Sequence, residues 1–171
     1  KQGAMSTFLQ DVLHRINGAL GKTPEDYYQA VAGSFLVSCD NAHAVHPNHG
    51  EKTDAVNCSW MNKGIVIKES ANQKYTTDAF SRAVFTNVCN EAGVPVQVFA
   101  NRSDILGGST LGNLSNTQVS VHAVDIGLPQ LAMHSCYETA GVKDVEYAIS
   151  ALTKFYQTTL QIEGAESAMF E

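Results

Sequence analysis

The sequence has few positive charges and no long apolar run, and each shortage excludes a class of protein. Lysine and arginine number 11 against 17 aspartates and glutamates, so the net charge of −6 provides no basic surface for nucleic acid. No apolar run approaches the roughly 20 residues that a membrane-spanning helix needs, and the amino terminus has no signal-peptide pattern. We therefore expect neither a nucleic-acid partner nor a membrane.

Two familiar binding patterns are missing as well. The four cysteines lie far apart, so they form neither a CxxC zinc pair nor the disulfide framework of a small secreted domain. This spacing favours a reducing cytoplasm as the location. The run GGSTLG, from Gly107 to Gly112, lacks the lysine and the spacing of a phosphate-binding P-loop, so we do not expect phosphate binding there.

Helical and strand patterns alternate along the chain, whose 171 residues are enough for one domain with a substantial core. Helical spacing or a helix start is found over residues 8–20, 23–26, 78–92 and 142–160. Strand patterns are found over residues 35–37, 64–67, 96–99 and 119–125. This order predicts an α/β fold, with a buried strand at 35–37 and a first helix that packs its apolar face on the rest of the domain.

Asp40 follows a strand-like run and precedes three of the six histidines, in the stretch SFLVSCDNAHAVHPNHG. Ligands of open α/β sheets bind beyond the carboxyl ends of the strands, which makes Asp40 a candidate by position. Its carboxylate and the neutral imidazoles of His43, His46 and His49 are suitable donors for divalent zinc. The DxxHxxH spacing is not a recognised ligand spacing, so a polar surface loop is the alternative interpretation.

A second polar cluster closes the run VDIGLPQLAMHSCYE, where His134 follows an apolar segment. A lone histidine in such a place is commonly a core residue that bonds to the backbone. If His134 lies near Asp40, it instead supplies the nitrogen donor that a mixed zinc site needs. Neither cluster decides the matter alone.

The segments QGAMS, SCDNAHAVHPN, KGIVIK followed by KYTT, GGSTLG, and VDIGLPQLAMHS followed by YE occur in this order. Together they closely resemble the aspartyl aminopeptidases, a family of co-catalytic zinc metallopeptidases. The resemblance covers nearly the whole chain. It implies a mixed β-sheet sandwiched by helices, the three-layer fold of zinc exopeptidases.

The resemblance implies a metal site in which Asp40 and His134 each match a zinc ligand of the family. His43 and His46 match residues that line the active site and meet the substrate, whereas His49 has no counterpart and is expected at the surface. Two zinc ions are implied for each complete site, although manganese and cobalt accept the same ligands.

Lys68 and Tyr75 match the pair that meets the acidic side chain of the substrate's first residue. An enzyme that selects Asp or Glu needs a buried cation for that carboxylate, and an ammonium with a phenol donor provides one. Without the resemblance, the same residues would be interpreted as a solvated strand lysine and a packing tyrosine.

The resemblance also identifies an active-site loop in the glycine-rich run, formed by Gly107, Gly108, Ser109 and Thr110. Asp104, just before this loop, either shapes the loop or caps a turn. Glu138 follows the MHS motif, where a structural salt bridge and a functional role are both open.

By the same resemblance, residues 1–163 are expected to form the C-terminal part of the catalytic peptidase domain, and residues 164–171 a loose tail. The family's first zinc histidine, its bridging aspartate and its adjacent glutamates, including the general base, all precede QGAMS. The family's dimerisation domain is also absent from this segment. We therefore expect the segment alone to be inactive.

For the complete protein, the resemblance implies a cytoplasmic, zinc-dependent aminopeptidase that removes N-terminal Asp or Glu from short peptides by two-metal hydrolysis. It also implies a homo-oligomer built from dimers. A non-catalytic remnant and a single-metal binding module with the same fold are the alternatives outside the enzyme class. Within that class, the alternative is an aminopeptidase of broader, neutral specificity.

Overall fold

The structure is a computed structural model and describes residues 3–170. Its helices are α1 (Phe8–Ala19), α2 (Pro24–Ala32), α3 (Ala79–Glu91), α4 (Leu111–Asn116), α5 (Val142–Gln157) and a short 3-10 helix (Gly50–Lys52). Its strands are β1 (Phe35–Cys39), β2 (Ala42–His43), β3 (Ile65–Glu69), β4 (Val96–Ala100), β5 (His122–Gly127), β6 (Pro129–Leu131), β7 (Thr139–Ala140), β8 (Leu160–Ile162) and β9 (Ala168–Phe170).

The main sheet has four strands in the order β1-β5-β3-β4. β1 runs parallel to β5 and β3 parallel to β4, whereas β3 and β5 are antiparallel. Helix α3 connects β3 to β4, as a parallel pair requires. The predicted α/β fold with a mixed sheet is confirmed. Two smaller sheets, β2-β6-β7 and β8-β9, complete the architecture.

The two faces of β3 have different roles because successive side chains of a strand point to opposite faces. Ile65 and Ile67 belong to the main core, together with Phe85 of α3 and Ala151 of α5. Val66 belongs to a second buried cluster. Lys68 alternates with Ile67 and so lies on the Val66 face, away from the main core.

Capping residues define the starts of two helices. Thr23 accepts a hydrogen bond from the Asp26 N–H, and the Asp26 carboxylate accepts one from the Thr23 N–H, which forms a capping box at α2. Asp78 and Ser81 form the same arrangement at α3. The predicted starts near Pro24 and Asp78 are confirmed.

Three expectations about packing are wrong. The strand at 35–37 is only half-buried, because β1 is an edge strand of the described sheet. Among the described residues, α1 has no fully buried side chain, and Phe8, Val12 and Ile16 of its apolar face are exposed. The tail is not loose throughout: β9 pairs antiparallel with β8, and the Glu163 N–H donates to the Ser167 carbonyl, which closes the turn. Glu171 lies outside the described residues.

All four cysteines are free thiols. Cys89 lies in the main core, where burial raises the pKa of its thiol to about 12 and keeps it unreactive. Over residues 3–170, no helix has both the length and the apolar character that crossing a bilayer demands.

Candidate active site

Asp40 lies directly beyond the carboxyl end of β1, and the neighbouring strand holds its backbone in place. The Asp40 N–H donates to the Ile126 carbonyl at 2.9 Å. A Cβ atom at Gly127 would lie 2.0 Å from the Asp40 carbonyl oxygen, so only glycine allows this approach. The glycine of the VDIG segment therefore fixes the position from which the Asp40 carboxylate extends.

A cavity of about 350 Å³, here called the site cavity, opens beside Asp40. Its lining includes Asp40, His43, Lys68, Tyr75, Thr110 and His134. The structure thus brings together both predicted metal ligands and both predicted substrate residues. Asp40 and His134 are 94 residues apart in the sequence. The parallel pairing of β1 with β5 and of β2 with β6 brings them to the same cavity.

His134 has an unusual backbone conformation, with φ of 67° in the left-handed region. Its N–H donates to Glu138 Oε1 at 2.6 Å. Glu138, whose role the sequence left open, thus holds the loop that presents His134 rather than forming a salt bridge. Sterically costly backbone of this kind persists only where the surroundings enforce it.

The histidines that follow Asp40 separate into two groups. His43 lines the site cavity, and burial lowers the pKa of its imidazole, as do the charges of His134 and Lys68. His46 and His49 line a neighbouring cavity of about 380 Å³, here called the side cavity, and His43 lines this cavity as well. His46 also accepts a hydrogen bond from the Asn48 N–H, which closes the local turn. His49, predicted to be a surface residue, is exposed and contacts Glu51.

Lys68 is a buried cation, only 2% exposed, and its Nζ donates to the Asp40 carbonyl oxygen at 2.8 Å. Burial lowers the pKa of its ammonium, while the carboxylates of Asp40 and Asp125 act in the opposite direction. Continuing the antiparallel register of β3 and β5 by one residue places Lys68 beside Asp125. A buried lysine with spare donors at a cavity wall is suited to binding an anionic group.

Tyr75 is 8% exposed, and its ring lies 5.2 Å from Lys68 Nζ. Its hydroxyl oxygen accepts a hydrogen bond from Asn101 Nδ2 at 3.2 Å. Burial raises the pKa of the phenol, so Tyr75 stays protonated and can donate. It lines both cavities and forms part of the wall between them.

Asp125 and Asn101 have roles that the sequence reasoning missed. Asp125 is fully buried, and its Oδ2 accepts hydrogen bonds from the Thr76 N–H at 2.6 Å and the Thr76 hydroxyl at 2.8 Å. Its Oδ1 and the Thr110 hydroxyl have no hydrogen-bond partner within residues 3–170. A carboxylate inside an apolar strand run was a signal for Asp125, whereas nothing in the sequence pointed to Asn101.

The glycine-rich loop passes along both cavities before α4 begins. Gly108, Ser109 and Thr110 line the site cavity, and Gly107 and Gly108 line the side cavity. Asp104 pairs with Arg102 at 2.6 Å, so it stabilises the turn that leads into the loop.

Asp40 and His134 provide one oxygen and one nitrogen donor at the same cavity, which suits zinc. Zinc sites usually have three or four protein ligands. In the part of the chain that the structure describes, no group of three or more His, Cys, Asp or Glu side chains lies close enough to hold a metal ion. The donors present here fit part of a zinc site and need others to complete it.

Comparisons with known proteins agree with this geometry. A family model described as aminopeptidase I zinc metalloprotease (M18) matches residues 1–156. A probable M18 family aminopeptidase 2 of Clostridium novyi is 50% identical over 156 residues, which cover 91% of this chain and 36% of that protein. Aspartyl aminopeptidase 1 of Schizosaccharomyces pombe is 43% identical over 162 residues, covering 95% of this chain and 34% of that protein.

Solved structures show the same likeness. A chain of the Ape4 and Nbr1 complex has a TM-score of 0.88 at 44% identity, over 91% of this chain and 30% of that one. The S. cerevisiae mApe1 dodecamer has a TM-score of 0.78 at 27% identity, over 91% and 34% of the two chains. The chain spans about a third of the length of the relatives it matches.

Proposed function

The chain belongs to the aminopeptidase I zinc metalloprotease family, M18, and from that membership we propose that the complete protein removes Asp or Glu from the amino terminus of short peptides by two-zinc hydrolysis. The observation that carries the acidic preference is Lys68, a buried ammonium in the wall of the cavity that also contains Asp40 and His134. In this proposal its charge binds the side-chain carboxylate of the substrate's first residue.

Asp40 and His134 would each ligate a zinc ion. The remaining ligands and the general base would come from parts of the complete protein other than these 171 residues. Bound zinc would lower the pKa of a water molecule and polarise the scissile carbonyl. The chain's own part is to hold Asp40 by its backbone and to present His134 through Glu138. His43, at the wall shared by both cavities, would orient the substrate.

Selectivity follows from the charges around Lys68. A carboxylate that enters the site cavity gains a charge-assisted hydrogen bond from Lys68 and a second from Tyr75. A neutral side chain leaves the buried ammonium without an external partner, so kcat/KM for such a peptide is lower. We also propose a homo-oligomer, since a relative of known structure is a dodecamer. A cytoplasmic location stays a prediction.

The test compares peptides that begin with Asp, Glu and Ala, using the complete protein with zinc content measured in the same sample. We expect cleavage of the acidic peptides, two zinc ions per chain, and loss of activity on chelation with recovery when zinc is restored. Lys68→Met should lower kcat/KM for the Asp-initiated peptide about 100-fold, because it removes one partner of a buried charge pair.

Other results would point to the alternatives. Equal cleavage of Asp- and Ala-initiated peptides would support neutral specificity. One weakly held ion without cleavage would support a single-metal binding module, and neither metal nor cleavage would support a non-catalytic remnant.

A further inference from the structure

The hydrogen bond between Asn101 and Tyr75 determines what the Tyr75 hydroxyl can do. A phenol carries one proton to donate and accepts through its oxygen. Asn101 Nδ2 donates to that oxygen at 3.2 Å. The Tyr75 proton is therefore not used on Asn101 and is free for a different acceptor.

The position of Tyr75 limits which acceptor that is. The side chain is nearly buried and lines both cavities, and on the site-cavity side it lies beside Lys68, whose Nζ is 5.2 Å from its ring. Asn101 lines the side cavity and not the site cavity, so the amide contacts the phenol from outside the site. A hydrogen bond received on one side also polarises the O–H bond and makes it a better donor on the other.

Gly107 has no side chain, and this leaves the space that the hydrogen bond between Asn101 and Tyr75 needs. A Cβ atom at Gly107 would lie 2.5 Å from Asn101 Nδ2 and 4.0 Å from the Tyr75 hydroxyl. Contact at 2.5 Å is closer than non-bonded atoms can approach, so any side chain there would displace the amide. The first glycine of the GGSTLG loop thus leaves room for the Asn101 amide.

We propose that Asn101 is a positioning residue for substrate selection: its amide directs the Tyr75 proton into the site cavity, where the phenol donates to the carboxylate of an acidic substrate residue. This inference rests on the proposed function, because it takes that carboxylate as the acceptor. Asn101 and Gly107 act together, since Asn101 supplies the hydrogen-bond donor and Gly107 leaves space for its amide.

The experiment measures kcat and KM of the complete, zinc-loaded protein for Asp- and Ala-initiated peptides. Asn101→Leu keeps the size of the side chain and removes the donor. It should lower kcat/KM for the Asp-initiated peptide about 10-fold, mainly through KM, and leave the Ala-initiated peptide unchanged. Asn101→Asp should have a larger effect, because its carboxylate accepts the Tyr75 proton and repels the substrate.

Two further variants make the result specific. Gly107→Ala should reproduce the loss of selectivity, and it should add nothing in the Asn101→Leu background, since both remove the same contact. Asn87→Leu is the matched control: its amide bonds to Glu91 on α3, outside both cavities, so selectivity should not change. Calorimetric titration with L-aspartate provides a second readout and should show weaker binding to Asn101→Leu than to the wild type.

An equal loss for both peptides would assign Asn101 a structural role and overturn the inference. If Asn101→Asp kept the wild-type selectivity, the inference would also be overturned, because the Tyr75 hydroxyl would then not need a hydrogen bond from residue 101. Both outcomes leave the proposed function standing. A wild-type protein without preference for Asp over Ala would instead overturn the proposed specificity, and this inference with it.

Discussion

At the scale of single residues, the site depends on backbone positions that few side chains tolerate. His134 has a left-handed φ of 67°, and Ala132, two residues earlier, has one of 55°. Conformations of this kind cost on the order of 1–3 kcal/mol each and need support from neighbours. The Glu138 carboxylate provides that support through the His134 N–H. The glutamate of the MHSxxE segment thus supports the loop that presents His134.

Replacing Glu138 should weaken metal binding without unfolding the protein. We expect Glu138→Ala to lower zinc affinity about 10- to 100-fold, as the loss of a group that supports a ligand typically does. Zinc affinity is measured by competition with a chelator, and circular dichroism checks the fold. Glu166→Ala, in the turn between β8 and β9, is the control for loss of an exposed carboxylate. Unchanged zinc affinity in Glu138→Ala would contradict the role assigned here.

Single residues also show which positions the resemblance could indicate and which it could not. The resemblance pointed to Asp40, His134, Lys68 and Tyr75, and the structure places all of them at one cavity. It could not point to Asn101, because the function of an amide depends on which atom it meets. That partner lies 26 positions away, and the contact exists only because Gly107 leaves the space.

At the scale of secondary-structure elements, a buried carboxylate connects α5 to the start of β3. Asp144 is fully buried, and it accepts hydrogen bonds from the Asn62 N–H at 2.5 Å and the Gly64 N–H at 3.0 Å. The Lys143 N–H donates in return to Asn62 Oδ1 at 3.0 Å. These bonds fix the turn from which β3 carries Lys68 into the site cavity.

Asp144→Ala should therefore destabilise the protein, by about 3 kcal/mol, because the Asn62 N–H and the buried Gly64 N–H both lose a charged acceptor. Urea unfolding measures the change, and Glu146→Ala, exposed on the same helix, should stay within about 0.5 kcal/mol of the wild type. If both variants unfolded at the same urea concentration, the connection would not contribute to stability.

Helices and strands could be predicted from the sequence where they were long enough to show a recognisable apolar pattern. Helical apolar spacing located α3 and α5, and short runs rich in β-branched and aromatic residues located β3 and β4. It gave no information on strand order, so the edge position of β1 was missed. Strands as short as β2 and β7, with two residues each, have no period to detect.

At the scale of the whole molecule, two helices leave apolar stripes uncovered. On α1, the side chains of Phe8, Val12 and Ile16 recur every fourth residue and are exposed. On α5, the same holds for Val145 and Ile149, beside the face that packs on the core. Contiguous exposed apolar residues on a helix typically mark surfaces that contact other protein. The helical spacing predicted the stripes correctly, but it could not tell which face meets the core.

These stripes lead to a prediction for the 171-residue chain studied by itself. We expect it to self-associate, since apolar surface that no partner covers is removed from water by contact between copies. Light scattering after gel filtration should give a mass above the 18.4 kDa of one chain. Ile149→Glu places a charge in the α5 stripe and should shift the mass towards one chain. Ser150→Glu adds the same charge at an exposed position beside it and should not. A monomeric wild-type chain would show that the stripes are too small to drive association, and equal effects of both variants would assign the association to net charge instead.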